Sequence, residues 1–363
     1  MATRSNVSRF QDMLRARDIR YALLQNIDSH ASSGNFFHLC NYNGLGILVI
    51  PADDKPLLLV AQMEYERAKH ASCVPVAVMK KKLPAEIAAR FSRRMLRAKR
   101  AGLDYDHTSI AQLARLRKQV RSSFLDIAEL CQTLRLRKTP SELEKIQRAC
   151  ALTDKTFQRT FAAFDSFRTE ADVAAFMLQE TARLGCDPSF RPIVASGAAG
   201  AQPHYEVKPT KLRKGFCIID YGLRYQGYCA DMTRTAFVGK PTKQDKTAYA
   251  AVLSAHDAAR DAAVSGCSFA SIEKVARQKL GRHGKYFIHS IGHGLGIDVH
   301  EYPFIRGHTN KSFTQLGQDV VFTIEPGVYY PEKFGIRIED DYVMTKKGPR
   351  ALTKSSRSLL VLR

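Results

Sequence analysis

The sequence lacks the cysteine pairs and the long apolar runs that mark several classes of protein. Its eight cysteines include no CxxC pair, so we expect neither a zinc knuckle nor a disulfide framework. No apolar run approaches the length of a membrane span, and the opening segment MATRSNVSRFQDMLRARD lacks the apolar core of a signal peptide. We therefore expect a cytoplasmic protein with free, buried thiols and no contact with a membrane.

Acidic residues are also scarce, because 56 lysines and arginines stand against 35 aspartates and glutamates, a net charge of +21. Residues 1–138 hold 24 of these basic residues against 12 acidic ones. Such a charge attracts polyanions in a salt-dependent way. Nucleic acid is thus a possible partner, although no nucleic-acid motif accompanies the charge, and a solvated basic face is the alternative. The basic clusters lie at Lys80, Lys81 and Lys82, at Arg93, Arg94, Arg97, Lys99 and Arg100, and at Arg115, Arg117, Lys118 and Arg121.

What the chain does contain is a set of five metal-binding side chains of hard character. They are Asp220 in CIIDYG, Asp231 in YCADMTRT, His293 in SIGHGLG, Glu325 in FTIEPG and Glu339 in GIRIED. Four carboxylates and one imidazole can hold two divalent cations side by side. The set predicts a two-metal hydrolase.

The spacing of the two aspartates predicts that they face each other across a hairpin. The runs FCIIDYGLRY and GYCADMTRTAF are rich in β-forming residues and are joined at residues 225–227. A turn centred on Tyr225 and Gln226 places Asp220 directly opposite Asp231. Opposed Cβ atoms lie roughly 5 Å apart, where like charges repel unless a cation lies between them. For an isolated pair of aspartates, a strand end and a turn cap would be the simpler interpretation.

Two glutamates stand where a strand pattern would otherwise require apolar or paired residues. Glu325 ends the apolar run VVFTIE and is followed by Pro326 and Gly327, and a buried glutamate is rare unless it is paired or coordinated. In GIRIEDDYV, strict alternation places Arg337 and Glu339 on the same strand face. An ion pair on that face is the alternative interpretation for Glu339.

Glycines surround the histidine of the set. His289 and His293 are four residues apart, but Gly292, Gly294 and Gly296 disfavour a helix. Glycine lets the backbone approach a ligand closely, so we interpret GHGLG as a strand or turn beside a site, with room for a ligand. A lone histidine is usually a core or surface residue, and His204, His289 and His300 differ only by their association with the ligands.

The remaining pattern predicts an α+β protein of two domains. A helix is expected at residues 10–16 and strands at 21–24, 45–50 and 57–60, an α/β pattern that ends where Thr139 and Pro140 resemble a helix start. Helices at 142–164, 170–184, 243–264 and 271–280 then accompany the strand-rich metal segments without regular βαβ alternation. We place the domains at 1–134 and 135–363.

These segments resemble the pita-bread metallopeptidases, specifically the Xaa-Pro peptidases prolidase and aminopeptidase P. The resemblance rests on IDYGLRYQGYCADMTRT, HSIGHGLGIDVHE, TIEPGVY and RIEDDYV, in this order and at these separations. It implies a pita-bread (creatinase/aminopeptidase) catalytic domain and a smaller, creatinase-like α/β N-terminal domain, in which MEYERAKHA is the most suggestive stretch.

The resemblance implies a role for each ligand. Asp220 would chelate one metal ion, Asp231 and Glu339 would bridge both, and His293 and Glu325 would bind the second. A hydroxide shared between the ions would attack the scissile carbonyl, and Glu325 would handle the proton. Hard oxygen ligands place Mn²⁺ first, with Co²⁺, Fe²⁺ or Zn²⁺ as alternatives.

The resemblance also implies roles for four further catalytic residues. His204, His289 and His300 match positions that contact the substrate or steady the tetrahedral intermediate, and Arg337 matches an arginine that holds a carboxylate ligand in place. The sequence departs from the family at Ala198 and Ala199, where asparagine is frequent. It also departs at Tyr221, which is expected to narrow the pocket or to change which side chains are accepted.

The predicted function is metal-dependent hydrolysis of the Xaa-Pro bond, in dipeptides, by a homodimer. Aminopeptidase P, which acts on longer proline-containing peptides, is the first alternative, and methionine aminopeptidase is a more distant one. A non-catalytic pita-bread protein that binds nucleic acid is the alternative from another class. Retention of all five ligands favours the enzyme, because converging carboxylates without a metal destabilise a core.

Overall fold

The computed structural model describes residues 5–27, 33–91, 95, 99–120, 122–304 and 315–362. The chain divides into two compact units, Met1–Arg135 and Leu136–Arg363. The domain division expected at 134/135 stays a prediction. Within the described ranges, no helix has the length and apolar character that crossing a bilayer requires.

The first unit is an α/β unit built on a mixed sheet. The strands are β1 (Tyr21–Asn26), β2 (Gly46–Pro51), β3 (Leu57–Val60), β4 (Val76–Val78), β5 (Arg100–Leu103) and β6 (Ser123–Asp126). They form one sheet in the order β4-β3-β2-β1-β5-β6. Strand β1 pairs antiparallel with β2 and parallel with β5. The helices are Asn6–Ala16, Gly34–Cys40, Tyr65–Ala71, Leu83–Arg90, Ile110–Gln119 and Ala128–Leu136, and Gln62–Glu64 is a 3₁₀ turn.

Both faces of this sheet are buried, as the alternation along β1 shows. Ala22 and Leu24 pack into one apolar cluster, whereas Tyr21 and Leu23 pack into another. Each fully buried large apolar side chain contributes about 1.5–3 kcal/mol relative to an exposed one. The three strands predicted in this region are confirmed within two residues at each end.

The basic clusters of the first unit are exposed where the structure describes them. Exposed members are Lys80, Lys81, Lys82, Lys99, Arg100, Arg115, Arg117 and Lys118. The other members, Arg93, Arg94, Arg97 and Arg121, lie outside the described residues.

The helices of the second unit begin at side-chain caps that the sequence encodes. Thr139 accepts a hydrogen bond from the backbone of Glu142, whose side chain returns to the backbone of Thr139, which confirms the helix start predicted there. The same capping box begins the helices at Thr169 and Thr242. The helices are Pro140–Ala162, Glu170–Arg183, Lys243–Ala262 and Phe269–Leu280, with 3₁₀ turns at Phe164–Ser166, Gly197–Ala201 and Gly281–Tyr286.

Small sheets carry the metal segments of this unit. The strands are β7 (Asp187–Pro188), β8 (Ile193–Ser196), β9 (Gly215–Asp220), β10 (Leu223–Tyr225), β11 (Tyr228–Cys229), β12 (Thr233–Val238), β13 (Val321–Ile324), β14 (Gly327–Tyr330), β15 (Phe334–Arg337), β16 (Asp340–Thr345), β17 (Gly348–Ala351) and β18 (Leu360–Leu362). They pair in the orders β18-β12-β9-β8, β11-β10-β7, β13-β16-β17 and β14-β15. Helices and antiparallel pairs without regular βαβ alternation confirm the α+β class.

The register of the β9–β12 hairpin differs from the prediction. Asp220 pairs with Thr233 rather than with Asp231. The turn lies one residue later than expected, at Gln226 and Gly227, which have φ values of 49° and 85°. A two-residue hairpin turn of this kind requires positive φ at both positions, which suits glycine at the second. Asp231 therefore lies in the break between β11 and β12.

The glycines around His293 make room for the protein's own backbone rather than for a ligand. A Cβ atom on Gly292 would lie 2.1 Å from the carbonyl oxygen of Thr323, and one on Gly294 would lie 2.2 Å from that of Tyr302. The segment is a loop with isolated bridges at Gly294, as a strand or turn beside a site requires. The expectation of room for a ligand was wrong at Gly292 and Gly294, because the protein's own backbone fills the space that a Cβ atom would take.

Candidate metal centre

The second unit contains a cavity of about 1030 Å³ that gathers every site residue predicted from the sequence. These residues come from separate strands and loops, so only folding brings them together. They are His204, Asp220, Asp231, His289, His293, His300, Glu325, Arg337 and Glu339. Their individual roles stay predictions.

Each carboxylate of the set stands at the end of a strand or just beyond one. Asp220 is the last residue of β9, Glu325 directly follows β13, and Glu339 lies between β15 and β16. Asp231 is fixed by its backbone, whose N–H donates to Asp341 Oδ2 over 2.9 Å. The backbone N–H of Glu339 donates to the carbonyl of Thr233. A strand end is held by hydrogen bonds of the ladder, and these carboxylates line the cavity beyond it.

Three members form the tightest group. Asp231, His293 and Glu339 each offer a ligand atom, and these atoms lie within 4.8 Å of one another. His293 Nε2 lies 3.7 Å from Asp231 Oδ2 and 3.6 Å from Glu325 Oε1. Its Nδ1 lies 3.1 Å from the Gly294 carbonyl, so Nδ1 donates and Nε2 is the atom available as a ligand.

The charges of this cluster are poorly balanced in the protein alone. Burial, followed by the charges of Glu339 and Asp220, raises the pKa of Asp231 well above its usual range. Burial and the charge of Glu325 do the same to the pKa of Glu339. Burial raises the pKa of Glu325 to about 8 against the opposing effect of Arg337. A divalent cation between these groups would relieve the repulsion.

Two carboxylate oxygens without a hydrogen-bond partner among the residues that the structure describes also indicate a site for a cation. Within the described ranges, Asp220 Oδ1 and Asp231 Oδ1 are buried and have no hydrogen-bond partner. A buried unsatisfied carboxylate oxygen is costly, whereas metal coordination satisfies it. The hard donor set, the repulsion and the unsatisfied oxygens together fit divalent metal ions.

Arg337 donates hydrogen bonds to one metal ligand and to a side chain that holds another. Its Nη2 donates to Asp220 Oδ2 over 2.6 Å, and its Nε donates to Thr233 Oγ1 over 3.0 Å. The Thr233 hydroxyl in turn donates to Glu339 Oε2 over 2.6 Å. One buried guanidinium therefore orients a carboxylate on β9 directly and a second one through a hydroxyl.

Arg337 also reaches a histidine through a tyrosine. Its Nη1 donates to the Tyr329 hydroxyl over 2.7 Å, and that hydroxyl lies 2.8 Å from His289 Nε2. His289 Nδ1 lies 2.8 Å from the Ser290 carbonyl, which only accepts, so Nδ1 carries the proton and Nε2 accepts from Tyr329. Burial, together with the charge of Arg337, lowers the pKa of His289 to about 3.

The other two histidines, His204 and His300, are exposed on the cavity wall. The rings of His293 and His300 lie 4.2 Å apart, centroid to centroid. Partial desolvation within the cavity, followed by the charge of the neighbouring His204, lowers the pKa of His300. A neutral His300 ring at neutral pH carries one N–H that can donate to an oxygen of a substrate.

Sequence reasoning missed Tyr329, Thr233 and Asp341. For Tyr329, the signal in EPGVY was the glycine two residues earlier. A Cβ atom on Gly327 would lie 2.6 Å from the Tyr329 hydroxyl, so the tyrosine requires glycine at that position. Thr233 and Asp341 act through contacts between distant strands, which no local pattern encodes. The expectation for Tyr221 was wrong, because its hydroxyl pairs with Thr181 inside an apolar cluster and the residue does not line the cavity.

Comparison with known sequences gives similarity along nearly the whole chain. The sequence model of metallopeptidase family M24 matches residues 144–346, and that of the Creatinase/Prolidase N-terminal domain matches residues 7–137. An Xaa-Pro dipeptidase from Pyrococcus furiosus is 34% identical over 321 residues, 87% of this chain and 89% of the relative. An Xaa-Pro dipeptidase from Pyrococcus horikoshii is 31% identical, and the match covers 91% of this chain and 93% of the relative.

Solved structures give the same likeness. The prolidase from Pyrococcus horikoshii OT3 matches with a TM-score of 0.86 at 29% identity, covering 98% of this chain and 100% of its own. The X-Pro aminopeptidase from Thermotoga maritima MSB8 matches with a TM-score of 0.87, also at 29% identity, covering 98% and 100%. These likenesses confirm the predicted pita-bread fold with its creatinase-like N-terminal domain.

Proposed function

Because the chain belongs to metallopeptidase family M24, we propose that it is an Xaa-Pro dipeptidase, which hydrolyses the bond before proline in dipeptides. The observation that carries the proposal is the cavity, whose wall brings together the five candidate ligands and the four further residues expected to be catalytic. The relatives named Xaa-Pro dipeptidase support the choice of substrate, since they match this chain over about nine tenths of its length.

We propose that the five ligands hold two divalent metal ions, with Mn²⁺ first and Co²⁺, Fe²⁺ or Zn²⁺ as alternatives. Asp220 would bind one ion and His293 with Glu325 the other. Asp231 and Glu339 would bridge both. Carboxylate oxygens are hard ligands, so they favour Mn²⁺ over metals that prefer soft ligands such as thiolates. When bound, such cations polarise the scissile carbonyl and lower the pKa of water.

The protein's own groups set the geometry and move the proton. Arg337 holds Asp220 directly and holds Glu339 through Thr233. Glu325 is the most open of the acidic ligands, with 16% of its side chain exposed. This exposure supports the proposal that Glu325 takes a proton from the attacking water and returns it to the leaving nitrogen of proline.

The three further histidines are proposed to bind the substrate. The neutral ring of His300 can donate to the oxygen on which negative charge develops, where one donor contributes about 2.7–4 kcal/mol in comparable sites. His204 lies on the same wall. Both ring nitrogens of His289 are engaged by Ser290 and Tyr329, so we propose that this histidine contacts the substrate through the face or edge of its ring.

The test is hydrolysis of Met-Pro, Ala-Pro and Ala-Pro-Pro by purified, metal-loaded protein, with Pro-Ala as the matched control. Cleavage of Met-Pro and Ala-Pro, but not of Pro-Ala, is expected. Preference for Ala-Pro-Pro would instead support an X-Pro aminopeptidase, the second candidate, which the likeness to the Thermotoga maritima structure favours. Cleavage of none of the peptides with any of the four metals would contradict both.

We also propose that the protein is a cytoplasmic homodimer. Its eight cysteines are free in the structure, which suits a reducing compartment. Sedimentation at two protein concentrations tests the dimer, and a monomer at both would contradict it. Binding of nucleic acid to the basic clusters stays the alternative from another class, and it would show as salt-dependent retention of DNA.

A further inference from the structure

The cavity wall holds a second arginine, Arg191, that the metal centre does not use. Arg337 is 4% exposed and donates hydrogen bonds to Asp220, Tyr329 and Thr233. Arg191 is exposed on the wall and makes no hydrogen bond or ion pair with any residue that the structure describes. Its guanidinium is therefore available to a ligand inside the cavity.

Strand pairing brings Arg191 close to a metal ligand. Strand β8 pairs with β9 so that Ile193 lies opposite Asp220. Arg191 precedes Ile193 by two residues, a span of about 7 Å at most for an extended chain. A charge on a substrate near the scissile bond therefore falls within reach of its long side chain.

Apolar side chains line the same cavity as Arg191. The apolar residues that line the same cavity include Ala174, Leu178, Phe190, Pro192, Ile193 and Val207. Glu206, an acidic lining residue outside the ligand set, forms no ion pair with Arg191. A cation beside an apolar wall matches a small apolar ring that carries an anion.

The C-terminal residue of an Xaa-Pro dipeptide has this chemistry. The bond that is cleaved carries no N–H, so a protein can recognise proline only by its ring and by its carboxylate. That carboxylate is attached to the Cα atom next to the scissile nitrogen. In a longer peptide a neutral peptide group occupies the same place, so a cation there discriminates between the two substrates.

We propose that Arg191 binds the free carboxylate of the dipeptide and so determines specificity for dipeptides. The inference rests on the proposed function, because it assigns the recognition of the substrate at the same site. A guanidinium offers two parallel donors to a carboxylate, and lysine offers a single point charge. Because Arg191 is open to solvent, we expect its effect at the lower end for a charged hydrogen bond.

The test compares Arg191→Met and Arg191→Lys with Arg350→Met, all metal-loaded. Arg350 is an exposed arginine outside the cavity, so its variant controls for the loss of one positive charge. For Ala-Pro, kcat/KM should fall about 10-fold in Arg191→Met, mainly through KM, and less in Arg191→Lys. Ala-Pro-amide, which lacks the carboxylate, should be cleaved equally by wild type and Arg191→Met.

A binding measurement supplies a readout that does not depend on turnover. Calorimetric affinity for free proline should fall by a similar factor in Arg191→Met, while affinity for prolinamide stays the same. Equal losses for acid and amide, or no loss for Ala-Pro, would overturn the role of Arg191 and leave the dipeptidase proposal standing. A wild type that cleaves neither Ala-Pro nor its amide would overturn the proposed function, and this inference with it.

Discussion

Replacement of Arg337 by methionine tests how the charges of the ligand cluster are held in balance. The side chain is buried and donates to Asp220, Thr233 and Tyr329 at 2.6–3.0 Å. Methionine keeps most of the apolar stem but removes the charge and every donor. In metal-free protein, Asp220 is then 7% exposed beside other carboxylates, with its arginine gone.

The size of the loss in unfolding free energy depends on whether the Asp220 carboxylate stays ionised or takes up a proton, whichever costs less. A buried carboxylate that loses its partner and stays ionised costs about 3–5 kcal/mol. Protonation of an ordinary aspartate, with a pKa of about 3.9, costs about 1.5 kcal/mol at pH 5 and about 4 kcal/mol at pH 7. The folded variant would keep a proton that the unfolded chain releases, so its stability falls as pH rises. We expect a loss of about 1.5 kcal/mol at pH 5 and of up to about 4 kcal/mol at pH 7.

The assay is urea unfolding of metal-stripped Arg337→Met at pH 5 and pH 7, with each transition fitted separately because the chain has two compact units. The exposed Arg350→Met variant is the control and should lose less than about 0.5 kcal/mol. Saturating Mn²⁺ should reduce the loss in Arg337→Met, since the cation replaces the missing charge. A loss that is the same at both pH values, and the same with and without metal, would show that Arg337 does not balance the charge of the ligand cluster.

The remaining predictions concern four other buried or cavity-lining groups. Asp231→Asn should abolish hydrolysis and weaken metal binding, yet stabilise the metal-free protein, because it removes a carboxylate that its neighbours repel. Lys138→Met should cost about 3–5 kcal/mol in urea unfolding, since it leaves Glu301 without the lysine 2.7 Å away. Burial lowers the pKa of His256 to about 4, so wild type should lose about 3 kcal/mol from pH 7 to pH 4 that His256→Gln does not lose. His300→Ala should lower turnover more than metal content.

Each of these predictions has an outcome that contradicts it. Full activity of Asp231→Asn would remove that residue from the metal centre. A loss below about 1 kcal/mol in Lys138→Met would mean that Glu301 has other sufficient partners. Identical acid stability of wild type and His256→Gln would show that the buried ring is protonated without cost. Equal losses of turnover and metal in His300→Ala would make it a ligand or a structural residue.

The metal segments were predictable because their local patterns conflict with ordinary folding. An apolar run that stops at a glutamate before Pro-Gly, as at Glu325, has no common structural explanation. Strand alternation in GIRIEDDYV likewise places Glu339 on the same face as Arg337. Helix starts were equally local, as the capping box at Thr139 shows.

What sequence reasoning missed depends on register and on distant contacts. The turn at Gln226 and Gly227 shifted the partner of Asp220 by two residues, because the left-handed turn requires glycine at its second position. The link from Arg337 to Glu339 through Thr233 joins strands about a hundred residues apart. No pattern within one segment indicates such a link.

The most direct test titrates metal-stripped protein with Mn²⁺ and follows calorimetric binding and Ala-Pro hydrolysis on the same samples. A two-metal centre predicts two bound ions per chain, no hydrolysis before the first is bound and activity that rises with occupancy. It also predicts that Asp231→Asn loses both signals together. Full hydrolysis by metal-stripped protein, or no Mn²⁺ binding at all, would contradict it.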